Sequence, residues 1–225
     1  MFRKYLVVVS MLLLFPVGAF AGQIGGLADQ MGGQLLTVTG YIGLIDRDIK
    51  VSPGGGDEDF SSRVFAVKAT YGLNDRVDLY ATIGLADLQD IAGFDGSLGN
   101  LFGGGVKLLI IEGANGTRLT FNGDVQRLKT EDTVNSIDID AEYLEYSASL
   151  IISKKSGNLT PFGGVKLSEV DIDFDGAGFY KDAEEEKNTG LFAGVDYFVN
   201  PNVYFTGEIH VFAENTLYAG VGYNF

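Results

Sequence analysis

Apolar and polar residues alternate along most of the chain. From Val77 to Leu85 the odd-numbered positions are apolar and the even-numbered ones are polar or small. Because successive side chains of a β-strand point to opposite faces, this pattern predicts a strand with one apolar face. Equivalent alternation predicts ten strands, at approximately residues 34–47, 61–73, 77–88, 99–110, 118–128, 140–154, 159–172, 188–199, 202–212 and 216–225.

The segments between these strands alternate in length. Short turns are predicted near 74–76, 112–116, 156–158 and 200–201, and longer polar loops at 51–60, 89–98, 129–139 and 173–187. A tilted strand of about 9–11 residues crosses a bilayer, and short turns at one end with long loops at the other are typical of membrane barrels. The predicted fold class is therefore all-β, a transmembrane antiparallel up-and-down β-barrel of about ten strands, with eight strands as the alternative. An even strand number puts both termini at the short-turn end.

The first 21 residues have the layout of a secretory signal peptide. Arg3 and Lys4 form a basic start, an apolar run of about eleven residues follows, and Ala19-Phe20-Ala21 matches a cleavage site. We expect cleavage after Ala21, which leaves residues 22–225 as the barrel domain; an uncleaved membrane anchor is the alternative. The segment Gly22 to Gly33 is either a flexible lead-in or a small plug.

Charged residues lie in the middle of several predicted strands, on the polar face. In a membrane barrel they would face the lumen, whereas in a soluble sandwich they would face solvent. The signal peptide together with the aromatic C-terminus favours the barrel. Ten strands predict a narrow or occluded lumen with paired charges. The residues concerned are Lys68, Asp78, Lys107, Asp124, Glu145, Lys166, Asp196 and Glu208.

Composition excludes several kinds of function. The 225 residues carry a net charge of −14, which argues against binding nucleic acid, because phosphate contacts need clustered Lys and Arg. The chain has no cysteine, so disulfides, thiolate metal sites and cysteine nucleophiles are excluded.

Two groups of residues are candidates for chemistry. His210, the only histidine, lies two residues after Glu208, but this pair lacks a third orienting group, and we predict no catalytic residue. Asp171, Asp173 and Asp175 follow a D-x-D-x-D-G spacing, with Asp182 at position twelve, which is similar to a calcium loop. We therefore expect no cofactor apart from calcium held loosely at Asp171, Asp173, Asp175 and Asp182, with a hydrated acidic loop as the alternative.

Two segments resemble a known superfamily. The C-terminal Gly220-Val-Gly-Tyr-Asn-Phe225 is similar to the C-terminal signal of small outer-membrane β-barrel proteins of Gram-negative bacteria. Tyr71 to Tyr80 is similar to a hairpin common in the same proteins. The resemblance implies location in the cell outer membrane and recognition of Gly220–Phe225 by the barrel assembly machinery.

The expected partners are outer-membrane lipid and lipopolysaccharide, the latter through the acidic loops. The expected function is a structural or surface-interaction barrel. A narrow pore or transporter for small solutes or ions is the alternative, and an outer-membrane hydrolase is a distant third.

Overall fold

The computed structural model is a closed antiparallel β-barrel. It describes residues 35–52, 57–91, 94–134, 136–176, 182–185 and 188–225. The predicted signal peptide at 1–21 and the segment Gly22 to Gly33 lie outside these residues. Within the described ranges, no helix is long and apolar enough to cross a membrane.

Ten long strands form the wall, and an eleventh short strand lies at one rim. β1 to β7 pair in chain order, β7 pairs with β9, and β11 pairs with β1 to close the barrel. The ten-stranded up-and-down prediction is confirmed, and the eight-stranded alternative is wrong. In the described part of the chain the strands are β1 (Leu36–Ser52), β2 (Asp57–Asn74), β3 (Val77–Ala86), β4 (Gly99–Glu112), β5 (Thr117–Val134), β6 (Ile137–Lys154), β7 (Leu159–Asp175), β8 (Asp182–Glu185), β9 (Thr189–Phe198), β10 (Val203–Val211) and β11 (Glu214–Asn224).

The connections differ from the prediction at one end of the barrel. The four short turns are present where they were expected. Three of the four predicted long loops are wrong, because strands occupy much of them: β1 continues to Ser52 and β2 begins at Asp57, β5 continues to Val134 and β6 begins at Ile137, and β7 continues to Asp175. In β7 the alternation continues, with Ile172 and Phe174 between exposed aspartates, so this segment extends the wall as a strand.

The two faces of β5 exchange character partway along the strand. Near the short turns its outward residues are apolar up to Val125, and its inward residues are polar up to Gln126. Beyond this height the outward Lys129 is exposed, whereas the inward Leu128 is buried. One strand therefore passes from an apolar exterior with a polar interior to the reverse arrangement.

The same exchange occurs in the other strands that continue past this height, β1, β2, β6 and β7. The outward residues below it form an apolar belt, which is typical of a surface that faces lipid. Above it the exterior is polar and the interior is apolar, as in a soluble protein. The belt ends at a row of outward polar residues, called here the boundary row: Asp46, Arg63, Asn100, Arg127, Glu142, Glu169, Thr189 and Asn215.

The interior above the boundary row is filled by a cluster of apolar side chains, called here the cap. Phe94 packs edge-to-face against Phe174 with ring centroids 5.3 Å apart. Each large apolar side chain buried in this way contributes roughly 1.5–3 kcal/mol. The cap therefore closes the end of the barrel opposite the short turns. Its side chains come from the strands of the wall and from the segment between β3 and β4. It comprises Ile49, Phe60, Leu88, Ile91, Phe94, Leu128, Ile139, Ile172, Phe174 and Ala183.

Strand β8 completes the wall above β9, β10 and β11, which end at the boundary row. It pairs on one side with Ile49–Ser52 of β1 and on the other with Asp171–Asp173 of β7. Its Ala183 is buried in the cap. The short strand thus bridges the gap that the three shorter strands leave.

Candidate functional site

The lumen below the cap holds the charged residues predicted to line it. All eight are buried, with exposed fractions of 5% or less, which confirms that this face of the strands points inward. Because they alternate with the outward apolar residues, their position follows directly from strand geometry. They are Lys68, Asp78, Lys107, Asp124, Glu145, Lys166, Asp196 and Glu208.

Directly beneath the cap, acidic and basic side chains form a network across the lumen. Lys166 Nζ lies 2.8 Å from both Glu145 Oε1 and Glu214 Oε1. Arg47 Nη2 lies 3.1 Å from Glu145 Oε1 and 2.5 Å from Glu214 Oε2. Strands β1, β6, β7 and β11 are therefore joined through the interior. Two cations and two carboxylates compensate one another's charge.

His210 joins this network through both ring nitrogens. Its Nδ1 lies 2.6 Å from Glu214 Oε1 and its Nε2 lies 2.5 Å from Glu208 Oε1. A neutral imidazole has one N–H and can satisfy one carboxylate, whereas the imidazolium form can donate to both. The geometry therefore suits a charged His210 that balances the third carboxylate. We call Arg47, Glu145, Lys166, Glu208, His210 and Glu214 the charge network.

The junction between the charge network and the cap is tightly filled. The Tyr143 hydroxyl donates to Glu145 Oε2 at 2.5 Å and accepts from Arg47 Nη1 at 3.2 Å, and its ring contacts Phe60 of the cap. A cavity of about 20 Å³ lies between Phe60, Tyr143 and Glu145. A space of this size holds about one water molecule.

Two members of the charge network were missed from the sequence. Arg47 was the last residue of a predicted strand, and Glu214 fell in the predicted turn before the last strand. In the structure β1 continues to Ser52, and β11 begins at Glu214. Arg47 is an even number of residues from the inward Tyr41, and Glu214 is an even number of residues from the inward Tyr218. Because alternate residues of a strand share a face, this spacing could have placed both side chains in the lumen.

The half of the lumen nearest the short turns is polar and rich in hydroxyl groups. Several of these hydroxyls are buried and have no hydrogen-bond partner among the described protein atoms. Buried polar groups of this kind usually bind ordered water. We therefore expect a hydrated short-turn half beneath the filled junction. The hydroxyls are those of Thr120, Ser149, Ser153, Thr160 and Thr206.

Three of the four residues predicted to bind calcium, Asp171, Asp173 and Asp175, lie on the outer surface above the boundary row. Asp171, Asp173 and Asp175 are alternate, exposed residues of β7, and Asp182 of β8 is the register partner of Asp173. The first three thus lie on an extended strand and not in the curved loop of a calcium motif. Within the described ranges, no group of three or more acidic, histidine or cysteine side chains is arranged to hold a metal ion. Calcium binding here stays a prediction.

Carboxylates also face one another across β6 and β7. Asp140 is the register partner of Asp175, and Glu142 is the partner of Asp173. Like charges directly opposite in a sheet are destabilising. We call this surface of β6 and β7, with residues Asp140, Glu142, Asp171, Asp173 and Asp175, the acidic ladder.

The acidic ladder is neutralised at one edge. Arg127 forms an ion pair with Glu142, and Lys129 Nζ lies 2.7 Å from Glu142 Oε2. The hydrogen bond from Arg127, assisted by Lys129, holds the pKa of Glu142 below its usual value. In the boundary row the charges of Arg127 and Glu142 thus compensate each other, whereas Glu169 of β7 is acidic.

Solved structures of membrane barrels share this architecture. The outer membrane protease OmpT from Escherichia coli is 13% identical, with a TM-score of 0.55 over 87% of this chain and 98% of that one. The chain has the fold of the outer-membrane β-barrel proteins. The translocator domain of the autotransporter NalP from Neisseria meningitidis is also 13% identical, with a TM-score of 0.51 over 89% of this chain and 91% of that one. No family model and no curated protein matches the sequence.

The outer-membrane barrel fold gives the two ends a direction. In such barrels the short turns lie at the periplasmic end and the longer connections lie outside the cell. In a barrel inserted by this rule, the cap, β8 and the acidic ladder would belong to the extracellular end, and the polar half of the lumen would belong to the periplasmic end.

Proposed function

We propose that this protein is an integral outer-membrane barrel with a closed lumen, whose function lies on its extracellular surface. The observation that carries the proposal is the filled extracellular half of the interior. The charge network spans the lumen, and the cap seals it above. A solute entering from the periplasm would have to displace Lys166, Glu214 and Arg47 from one another, and then separate buried aromatic rings.

The extracellular extension supports a surface role. Strands β5, β6 and β7 continue for several residues beyond the boundary row and present the acidic ladder to the exterior. We infer that this surface contacts cations, including divalent cations shared with the headgroups of lipopolysaccharide, or a basic partner. An acidic surface favours such partners electrostatically.

A narrow pore is the second candidate, and the hydrated periplasmic half of the lumen favours it. Lys68 and Lys107 share that half with Asp78 and Asp196, so an ion could enter it from the periplasm. Passage would require both the charge network and the cap to open, which is why we rank the pore second.

We infer that the protein is not a hydrolase. A histidine that acts as general base must reach the substrate with a free ring nitrogen. Both nitrogens of His210 face carboxylates, and the residue is buried beneath the cap.

The proposed location and orientation are tested by labelling single cysteines in intact cells, since the natural chain has none. A membrane-impermeant maleimide should label Lys129→Cys and Asp173→Cys, which lie beyond the boundary row. It should not label Ile209→Cys, which faces the apolar belt, or Lys154→Cys at the periplasmic end. Labelling of Lys154→Cys in place of Lys129→Cys would contradict the orientation.

A further inference from the structure

The buried side chains of the lumen include one more carboxylate than positive charges. The charge network, with His210 charged, holds three of each sign. The buried Asp87 is compensated by Arg63, whose side chain is half exposed. The other buried charges of the described residues lie nearer the short turns, where two lysines meet three aspartates: Lys68, Lys107, Asp78, Asp124 and Asp196.

Two ammonium groups cannot compensate these three carboxylates. Lys107 lies within electrostatic range of Asp78 and Asp196, and Lys68 lies within range of Asp124 and Asp196. Sharing a cation of the charge network would leave the total unchanged. Because an ionised carboxylate inside a protein is strongly unfavourable without a compensating charge, the third aspartate requires a bound cation or a proton.

Asp196 of β9 has a neutral oxygen ligand on each side. Its register partners are Thr160 of β7 and Thr206 of β10, and all three side chains point inward with exposed fractions of 5% or less. Neither threonine hydroxyl has a hydrogen-bond partner among the described protein atoms. A carboxylate and two unused hydroxyl groups therefore lie side by side on three adjacent strands.

Two aromatic rings lie between these oxygens and the short-turn mouth of the lumen. Phe198 follows Asp196 by two residues and Tyr204 precedes Thr206 by two, so both rings lie on the same inward face, nearer the mouth. Their centroids are 5.4 Å apart, and Tyr204 is buried. The rings shield the oxygens from bulk water, which strengthens the attraction between a carboxylate and a cation.

We propose that Asp196, Thr160 and Thr206 bind one monovalent alkali-metal cation inside the lumen. The carboxylate supplies the charge, and the hydroxyl oxygens complete the shell of the ion directly or through water. Oxygen ligands of this kind suit hard cations. With the ion at Asp196, Lys107 compensates Asp78, which is its register partner.

The charge balance favours a monovalent ion over a divalent one. One carboxylate is in excess, so a monovalent ion cancels the charge, whereas a divalent ion would leave a buried positive charge. Calcium also takes 6–8 oxygen ligands, commonly from several carboxylates, and the described ranges contain no such group. The inference depends on the inward face of the strands and not on whether the lumen conducts.

Urea titration of the protein folded into lipid vesicles tests the proposal, in sodium chloride and in N-methylglucamine chloride of equal ionic strength. The two salts screen exposed charges equally, but the organic cation is too large for the site. The wild-type midpoint should be higher in sodium and should rise with sodium concentration as a bound ligand requires. Equal midpoints in the two salts would overturn the proposal and indicate that a proton compensates the third aspartate.

Variants locate the ion. Asp196→Asn should abolish the dependence on sodium, and Thr160→Val combined with Thr206→Val should weaken the apparent affinity for sodium by about tenfold or more. The valine variants keep the side-chain shape and break no hydrogen bond within the described protein atoms, so they should fold.

Thr120→Val is the matched control. Its hydroxyl is also buried without a hydrogen-bond partner among the described protein atoms, but its register partners are Leu109 and Ile151. This variant should keep the wild-type response to sodium. A sodium response that survives in Asp196→Asn, or that Thr120→Val weakens as much as the double valine variant does, would overturn the proposed site.

Discussion

Lys166 and Glu214 meet across the lumen, with Nζ 2.8 Å from Oε1, although β9 and β10 separate their strands in the wall. The contact therefore crosses the interior and does not follow the sheet. Arg47 and Glu145 lie at the same level, so the four charged side chains form ion pairs with one another. Charges that line an open channel would instead meet water.

Removing one member of the charge network should destabilise the barrel strongly. In Glu214→Ala, Arg47 and Lys166 lose a shared carboxylate while remaining buried. Breaking a buried pair in this way typically costs about 3–5 kcal/mol. The free energy of unfolding, measured by urea titration of protein folded into lipid vesicles, should fall by this order.

The matched control is Glu112→Ala, which removes the partner of Arg118 at the short-turn end. That pair is partly exposed, with side chains 50% and 25% accessible, so the loss should not exceed about 1 kcal/mol. Equal losses in the two variants would show that the charge network is not buried as described.

The cap makes a second prediction within a segment that the sequence alone marks as a loop. Phe174 is buried against Phe94, so Phe174→Ala should lower the free energy of unfolding by about 3–5 kcal/mol. Asp171→Ala, on the outward face of the same strand, should change it by no more than about 0.5 kcal/mol. A silent Phe174→Ala in the same urea titration would argue for a hydrated loop.

The acidic ladder makes a third prediction. Asp175 faces Asp140, so Asp175→Asn should raise the free energy of unfolding by about 0.2–1 kcal/mol in calcium-free buffer of low ionic strength. Sodium chloride should reduce the difference from wild type, because salt screens exposed charges. A stabilisation that calcium gives to wild type, that sodium chloride does not reproduce and that Asp175→Asn abolishes would instead support the predicted calcium site.

The membrane-facing part of the fold was predictable because its alternation is regular. In β3 the apolar residues Val77 and Ile83 share the outward face. Alternation along the strand therefore places Asp78 in the lumen without any tertiary information. The same reasoning correctly placed Lys68, Glu145 and Glu208 in the lumen. What it could not give is which cation meets which carboxylate, because those contacts depend on how the strands close in space.

The extension of β5, β6 and β7 beyond the boundary row was wrongly predicted as loops because its composition is polar. In β7, inward Ile172 and Phe174 keep the parity of inward Lys166, and only the polarity of the two faces is exchanged. The change reflects the surroundings, since water replaces lipid outside the wall. If each face is followed along the strand through this exchange of polarity, the strands extend to their observed ends. The same procedure places Arg47 on the inward face.

Single-channel conductance of the folded protein in a planar bilayer tests the closed lumen most directly. Wild-type protein should give no discrete steps, because the charge network and the cap fill the half of the interior opposite the short turns. Folding of the same sample is verified by its heat-modifiable mobility in electrophoresis. Reproducible conductance steps from folded wild-type protein would contradict the closed lumen and make the pore the better account.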